Sequence, residues 1–166
     1  MLKFCEWLAS TPWSIALHES IWVYPIVESI HVLTLCLFLG LVIVMDVRLL
    51  GGTMRETPAS EVLGRLAPWT IAGFAIMAIT GSLLFYAIPV KTYLNIFFRF
   101  KVAFLLLAGA NITVFHLTIF RKIGEWDLDP VPPLRARLAG GVSLLLWAGI
   151  VVAGRMIAYN WFDKQS

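Results

Sequence analysis

A few ionisable side chains interrupt four long apolar stretches of this chain, and they are its main chemical features. Ionisable groups within lipid are costly, so they are usually paired or functional. An imidazole can ligate haem iron or another metal, and embedded cations can hold anionic groups. The residues concerned are Glu28, His31, Arg99, Lys101, His116 and Arg155.

Five of these residues are predicted to lie in the outer half of one helix bundle. Glu28 and His31 are three residues apart and share a helix face. With Arg99, Lys101 and Arg155 they could form an anion-binding site for haem propionates, a quinone head group or a small acid. In the alternative interpretation, Glu28 neutralises Arg155 or Lys101, while Arg99 and Lys101 extend to lipid headgroups.

His31 is the best candidate ligand for haem b or a metal. His116 lies on a helix of the same direction at a different depth, about 17 Å away along the axis at about 1.5 Å per residue. The two therefore cannot share an iron. A second ligand would be His18, a methionine or His31 of another subunit. His116 is expected either to bind metal at a separate inner site or to be a hydrogen-bonded helix residue.

Composition indicates an integral membrane protein. Hydrophobic residues make up 60% of the 166 residues and charged residues 14%, against roughly 25% charged in soluble domains. Lys and Arg lie mostly at the ends of the apolar stretches, so the net charge of +3 does not indicate nucleic-acid binding. No nucleotide-binding or hydrolase motif occurs, which favours a protein that is not an enzyme by itself.

The pattern predicts an all-α, four-helix transmembrane bundle with short interfacial amphipathic helices, in one domain over residues 1–166. The predicted spans are 23–45, 68–88, 96–120 and 138–161, and the predicted interfacial segments are 4–21 and 58–66. Thr11-Pro12 and Thr57-Pro58 have the residue types that start helices, Asn95 caps the third span, and Gly51-Gly52 ends the first. Asp46, near that end, could pair with Arg121 or Arg135.

Positive charge predicts the orientation in a bacterial cytoplasmic membrane. Seven Lys and Arg residues in the two links between spans one and two and between spans three and four indicate the cytoplasmic side, so both termini are predicted to be periplasmic. An aromatic belt is expected at the periplasmic interface. The seven basic residues are Arg48, Arg55, Arg65, Arg121, Lys122, Arg135 and Arg137, and the belt comprises Trp13, Trp22, Tyr24, Tyr93, Tyr159 and Trp161.

Several motifs resemble an uncharacterised family of small bacterial inner-membrane proteins. The resemblance covers most of the chain and implies a fold and a location but no activity. The stretch from His31 to Gly40 is also loosely similar to the first helix of copper-resistance-D-type domains and to b-type cytochrome helices. The family motifs are Pro25-Ile-Val-Glu28-Ser-Ile-His31-Val-Leu, Met45-Asp46-Val-Arg48-Leu-Leu-Gly51, Asn95-Ile-Phe-Phe98-Arg99-Phe-Lys101, Asn111 with Phe115-His116, and Gly154-Arg155.

Three functions are consistent with these residues. The leading hypothesis is an electron-transfer subunit that binds b-type haem or a quinone through His31. The second is a copper- or other metal-handling membrane protein, and the third is a purely structural subunit. Because four spans bury little surface, we expect a homo-oligomer or a subunit of a membrane complex within the lipid bilayer.

Overall fold

The computed structural model describes residues 1–159, which form helices joined by short links without a β-strand. Four of the helices are long and apolar enough to cross a membrane. The predicted all-α bundle of four transmembrane helices is therefore confirmed. The helices are α1 (Leu2–Ala9), α2 (Pro12–Glu19), α3 (Val23–Leu49), α4 (Ala59–Ala87), α5 (Pro89–Leu94), α6 (Ile96–Val114) and α7 (Leu134–Ile157).

The long helices pack as two pairs, α3 with α4 and α6 with α7, which meet where α3 contacts α7. The backbones of α4 and α6 hardly meet, although the Phe85 and Phe98 rings stack with centroids 5.4 Å apart. We call the end of the bundle that carries α1, α2 and α5 the terminal end. The opposite end, with the α3–α4 and α6–α7 links, is the loop end.

Of the three short helices at the terminal end, α2 is attached to α4 by side-chain hydrogen bonds. The hydroxyl of Thr11 accepts the Ser14 N–H at 3.4 Å, which confirms the predicted start of α2. Ser14 is buried and donates to the backbone carbonyl of Tyr86 at 2.7 Å, while the hydroxyls of Thr11 and Tyr86 lie 2.7 Å apart. These bonds fasten α2 to the last turn of α4. Trp13 and Trp22, two residues of the predicted aromatic belt, are 79% and 73% exposed at this end.

The helix ends on either side of the first link are formed in different ways. Gly51 has a φ of 75°, in the left-handed region that favours glycine. Its N–H donates to the Arg48 carbonyl and that of Gly52 to the Val47 carbonyl, a Schellman motif that confirms the predicted end of α3. At the start of α4, Thr57 does not act as the cap. Instead Asp127 of the α6–α7 link accepts the backbone N–H of Ser60 at 2.7 Å.

Arg48 joins the two links from inside the loop end. Its side chain is fully buried, with 0% exposure. Its Nε and Nη2 donate to the Thr57 carbonyl at 3.1 and 2.9 Å, and Nη2 also lies 3.5 Å from the Asp129 carbonyl. Arg48, which the sequence indicated as a topology signal, therefore also connects the α3–α4 and α6–α7 links by hydrogen bonds.

The predicted break between an interfacial helix at 58–66 and a span from Pro68 is wrong. α4 runs unbroken from Ala59 to Ala87 with Pro68 inside it. A proline removes one backbone hydrogen bond and normally kinks or ends a helix. Here Val62 and Leu63, one to two turns earlier, are buried in the core of the loop end with Trp126, and this packing favours continuing the helix.

The other span limits shift by a few residues or change their helix type. α3 continues past the predicted 45, and α7 begins before 138. α6 is followed by a π-helical turn, Phe115–Ile119, and a 3₁₀ helix, Phe120–Glu125. The predicted end of the fourth span at Trp161 lies outside the described residues.

Candidate functional site

The side chain of His31, on α3, packs against two small residues of α4. Its Nδ1 lies 2.8 Å from the Thr80 hydroxyl oxygen. A Cβ at Gly81 would lie only 3.3 Å from the His31 Cε1 atom, so the glycine gives the ring room against α4. The imidazole is half-buried, and Thr80 is 7% exposed. The sequence predicted His31 as a site residue but did not predict its contact with Thr80. The adjacent Gly81, a small residue that permits close helix packing, was the available signal.

The hydrogen bonds around Thr80 favour one tautomer of a neutral His31. The Thr80 hydroxyl lies 2.8 Å from the Ile76 carbonyl, which can only accept. When the hydroxyl donates its one hydrogen to Ile76, it accepts from the Nδ1–H of His31. Nε2 of the neutral ring then carries the lone pair. Histidines that bind a metal typically donate their other ring N–H in this way.

Lys101 is the predicted cation whose charge reaches the His31 ring. Its side chain from α6 crosses Gly154 of α7, where a Cβ would lie 3.6 Å from Nζ. Within residues 1–159 the ammonium has no carboxylate partner, because the ion pair found there joins Arg65 to Glu61 at 2.7 Å. The expectation that Glu28 neutralises Lys101 or Arg155 is therefore wrong.

Arg99 and Arg155 lie at the terminal end, each beside a tyrosine. The Arg99 guanidinium lies 5.6 Å from the centroid of the Tyr93 ring. That of Arg155 lies 5.1 Å from the Tyr159 ring centroid, and its Nη2 donates to the Tyr159 hydroxyl at 3.1 Å. Both arginine side chains are exposed. They are available to an anionic group at the interface but do not enclose His31.

Glu28 and His18 are not brought to His31 by any described contact. Glu28 is exposed on α3, and His18 is exposed in the last turn of α2. The fold thus brings together His31 and Lys101 from the predicted group. It leaves Glu28, His18, Arg99 and Arg155 on the surface of the single chain, where a second copy or a ligand could reach them.

His116 lies in the other half of the bundle. It is exposed in the π-helical turn after α6, and its Nδ1 lies 3.0 Å from the Ile112 carbonyl, to which it donates. π-helical turns occur frequently at functional sites. His31 bonds to α4 near the terminal end, so the two histidines stay on separate levels, as their positions in the sequence predict.

Near His116, a cavity of about 310 Å³ opens on the side where α4 and α6 stand apart. Polar side chains from all four long helices line it. Asp46 is one of them, and its carboxyl group interacts with Ser143 of α7. The predicted pairing of Asp46 with Arg121 or Arg135 is wrong, because both arginines are exposed and neither forms an ion pair with it among the described residues. The polar lining residues are Asp46, Thr70, Asn111, His116 and Ser143.

No group of three or more His, Cys, Asp or Glu side chains in the described part of the chain could hold a metal ion. Cys5 and Cys36 are both free, the first buried and the second exposed. A metal held by His31 would therefore need ligands beyond a His, Cys, Asp or Glu cluster of these residues, such as a methionine, a cofactor or a residue of another subunit.

The comparisons with known proteins support membership of a family but show no activity. No significant similarity was found to any curated protein or to any solved structure. Residues 15–160 match the model of DUF6644, a family of unknown function, and this match covers most of the sequence. The chain therefore belongs to the DUF6644 family of unknown function.

Proposed function

We propose that this membrane protein is an electron-transfer subunit that binds b-type haem through Nε2 of His31. The observation that carries the proposal is the 2.8 Å contact between Nδ1 of His31 and the Thr80 hydroxyl, which leaves Nε2 as the ring nitrogen without a hydrogen bond among the described residues. An axial haem ligand needs that tautomer, and a bond at the other nitrogen orients the ring. The haem would supply one-electron chemistry, and the protein would hold and orient it.

The depths of the charged residues support this placement. At about 1.5 Å per residue, His31 lies about 12 Å inside the start of α3, and Lys101 about 8 Å inside the start of α6. Arg99 and Arg155 lie within about 5 Å of the terminal ends of α6 and α7. Lys101, Arg99 and Arg155, which lie between the level of His31 and this end of the bundle, would hold the propionates of a haem bound at His31.

A second axial ligand would come from outside the immediate surroundings of His31. The candidates are His31 of a second copy, His18 and a methionine. Because four transmembrane helices leave extensive apolar surface, an assembly of copies within the bilayer is part of this proposal. A dimer with His31 from both copies would be a bis-imidazole site.

The absorbance spectrum of the purified protein tests the proposal. Protein produced with added haem precursor should show a Soret band that shifts on addition of dithionite, and a pyridine haemochrome assay should identify haem b. His31→Ala should remove the Soret band, whereas His116→Ala, the matched control, should retain it. A wild-type spectrum without a Soret band, or His31→Ala protein that keeps the band, would exclude haem at His31.

A further inference from the structure

The cavity in the loop half of the bundle is separate from the His31 site and has the features of a binding site for a lipid-soluble ligand. Its walls are mostly apolar and include the aromatic rings of Phe38, Phe74, Phe115 and Trp147. Ligand sites are typically apolar clefts of about 300–1,000 Å³ with a few polar groups. At about 310 Å³, the space suits a single aromatic ring with a short substituent.

The cavity opens sideways, toward the lipid, between α4 and α6. Ile71 and Phe74 on α4 are 69% and 48% exposed, and Ile112 on α6 is 53% exposed. All three line the cavity. In a bilayer these surfaces face acyl chains, so a hydrophobic molecule dissolved in the membrane could enter without crossing water.

Asp46 supplies a buried polar atom that the protein leaves without a partner. Its side chain is only 6% exposed, and its Oδ2 forms no hydrogen bond within the described residues. The Ser143 hydroxyl interacts with the same carboxyl group. An unsatisfied buried polar atom costs about 1–3 kcal/mol, so this oxygen points to a missing partner.

The other polar groups of the cavity favour a ligand with hydroxyl or carbonyl groups. The donors of Thr70 and His116 are used on backbone carbonyls of their own helices, at 2.9 and 3.0 Å. His116 Nε2 is left as an acceptor when the ring is neutral, and Asn111 Nδ2 donates to the Ala139 carbonyl at 3.0 Å. A carboxyl group such as Asp46 can accept from a hydroxyl or, when protonated, donate to a carbonyl.

We propose that this cavity binds the head group of a membrane quinone or quinol, with one ring oxygen at Asp46 Oδ2. The quinol form would donate its hydroxyl to the carboxyl group, and the quinone form would accept from the protonated acid. A lipid acyl chain has no polar atom for Oδ2. A phospholipid phosphate would bring a second negative group against Asp46, which Coulomb repulsion disfavours.

The test is a binding titration of the purified protein with a short-chain alkyl benzoquinone, followed by quenching of tryptophan fluorescence. Trp147 lines the cavity, so Trp147→Phe identifies its share of the signal. Gly109→Leu should fill the cavity, because a Cβ there meets nothing within 4 Å. Gly40→Leu is the matched control: its Cβ also has open space, but Gly40 does not line the cavity.

We expect saturable binding that weakens at least about tenfold in Gly109→Leu and in Asp46→Leu and is unchanged in Gly40→Leu. Absence of saturable binding in the wild type, or binding unaffected by either cavity variant, would overturn the proposal. Weakening by Gly109→Leu but not by Asp46→Leu would also overturn it, because it would indicate an occupant held by apolar contact alone, such as an acyl chain. The result does not depend on haem, so this proposal and the one for His31 can fail separately.

Discussion

At the scale of single residues, neutral polar neighbours position the ionisable groups of this bundle. His31 is oriented by a threonine, Arg48 by backbone carbonyls, and Arg155 by a tyrosine hydroxyl. Hydrogen bonds to neutral groups avoid placing a second charge in hydrocarbon. The one ion pair within residues 1–159, between Glu61 and Arg65, has side chains 41% and 78% exposed.

The bond between His31 and Thr80 predicts the effect of removing one hydroxyl. Thr80→Val keeps the side-chain shape but leaves Nδ1–H of His31 without its acceptor. We expect the free energy of unfolding to fall by about 0.5–1.7 kcal/mol, the range for hydrogen bonds between transmembrane helices. Denaturant titration in detergent micelles measures the change.

Thr113→Val is the control for Thr80→Val. The Thr113 hydroxyl donates at 2.7 Å to the Gly109 carbonyl of its own helix, and the side chain is exposed. We expect its stability to change by less than about 0.5 kcal/mol. Equal losses in the two variants would contradict an interhelical role for Thr80.

The buried hydrogen bonds of Arg48 lead to a second prediction, a loss of stability on its removal. In Arg48→Ala the carbonyls of Thr57 and Asp129 lose their donor and a cavity forms at a fully buried position. We expect a loss of about 2–4 kcal/mol in the same titration. Arg55→Ala should change stability by less than about 0.5 kcal/mol, because Arg55 is exposed and bonds only within its own turn, to the Gly51 carbonyl. A small loss for Arg48→Ala would show that the links hold without it.

At the scale of helices, close approach at small residues determines which helices pair. At Gly140 of α7, an added Cβ would lie 3.0 Å from the Asp46 backbone oxygen and 3.2 Å from the Leu49 Cβ. Close packing at small residues is the main source of stability between helices in lipid. α3 and α7 therefore meet where Gly140 allows it, and this contact joins the two helix pairs.

The neighbouring glycines Gly140 and Gly141 are predicted to differ in their effect on stability when each is replaced by alanine. Gly140→Ala should lower the unfolding free energy by about 1–3 kcal/mol, since the backbone of α3 must move away. Gly141→Ala should be neutral or stabilising by up to about 1 kcal/mol, because its Cβ would only touch the Leu50 Cδ2 at 3.8 Å. Thermal unfolding in detergent compares them, and similar shifts in both would contradict the α3–α7 contact.

At the scale of the whole molecule, the bundle has two chemically different halves. The terminal half contains His31 and Lys101, with Arg99 and Arg155 at its surface, and the loop half contains the cavity at Asp46. The orientation of the bundle is a prediction from the distribution of positive charge. If the prediction holds, the His31 site faces the periplasm and the Asp46 cavity faces the cytoplasm.

Cysteine labelling on intact cells tests the orientation. In a Cys5→Ser, Cys36→Ala background, Glu6→Cys places one thiol on exposed α1, and Glu56→Cys places one in the exposed α3–α4 link. A membrane-impermeant maleimide should label the first without lysis and the second only after lysis. The reverse pattern would mean that the termini are cytoplasmic and that the orientation predicted from positive charge is wrong.

The sequence by itself determined the membrane class, the four spans and the helix ends that depend on local residues, such as the caps at Thr11 and Asn95 and the turn at Gly51. Hydropathy and capping act within one or two helical turns, so they can be read without knowing the neighbours. The same local reasoning predicted a break at Pro68. The helix instead continues through Pro68, because Val62 and Leu63 pack against residues that are distant in the sequence.

The tertiary structure alone decided which polar groups meet. Thr80 and His31, and Asp46 and Ser143, are far apart in the chain, and the helix faces they occupy are set by interhelical packing rather than by local pattern. Depth in the membrane follows from position in a span, so the levels of His31 and His116 were predictable. Partners across the bundle depend on the rotation of each helix about its axis, which a nearly uniform apolar sequence does not specify.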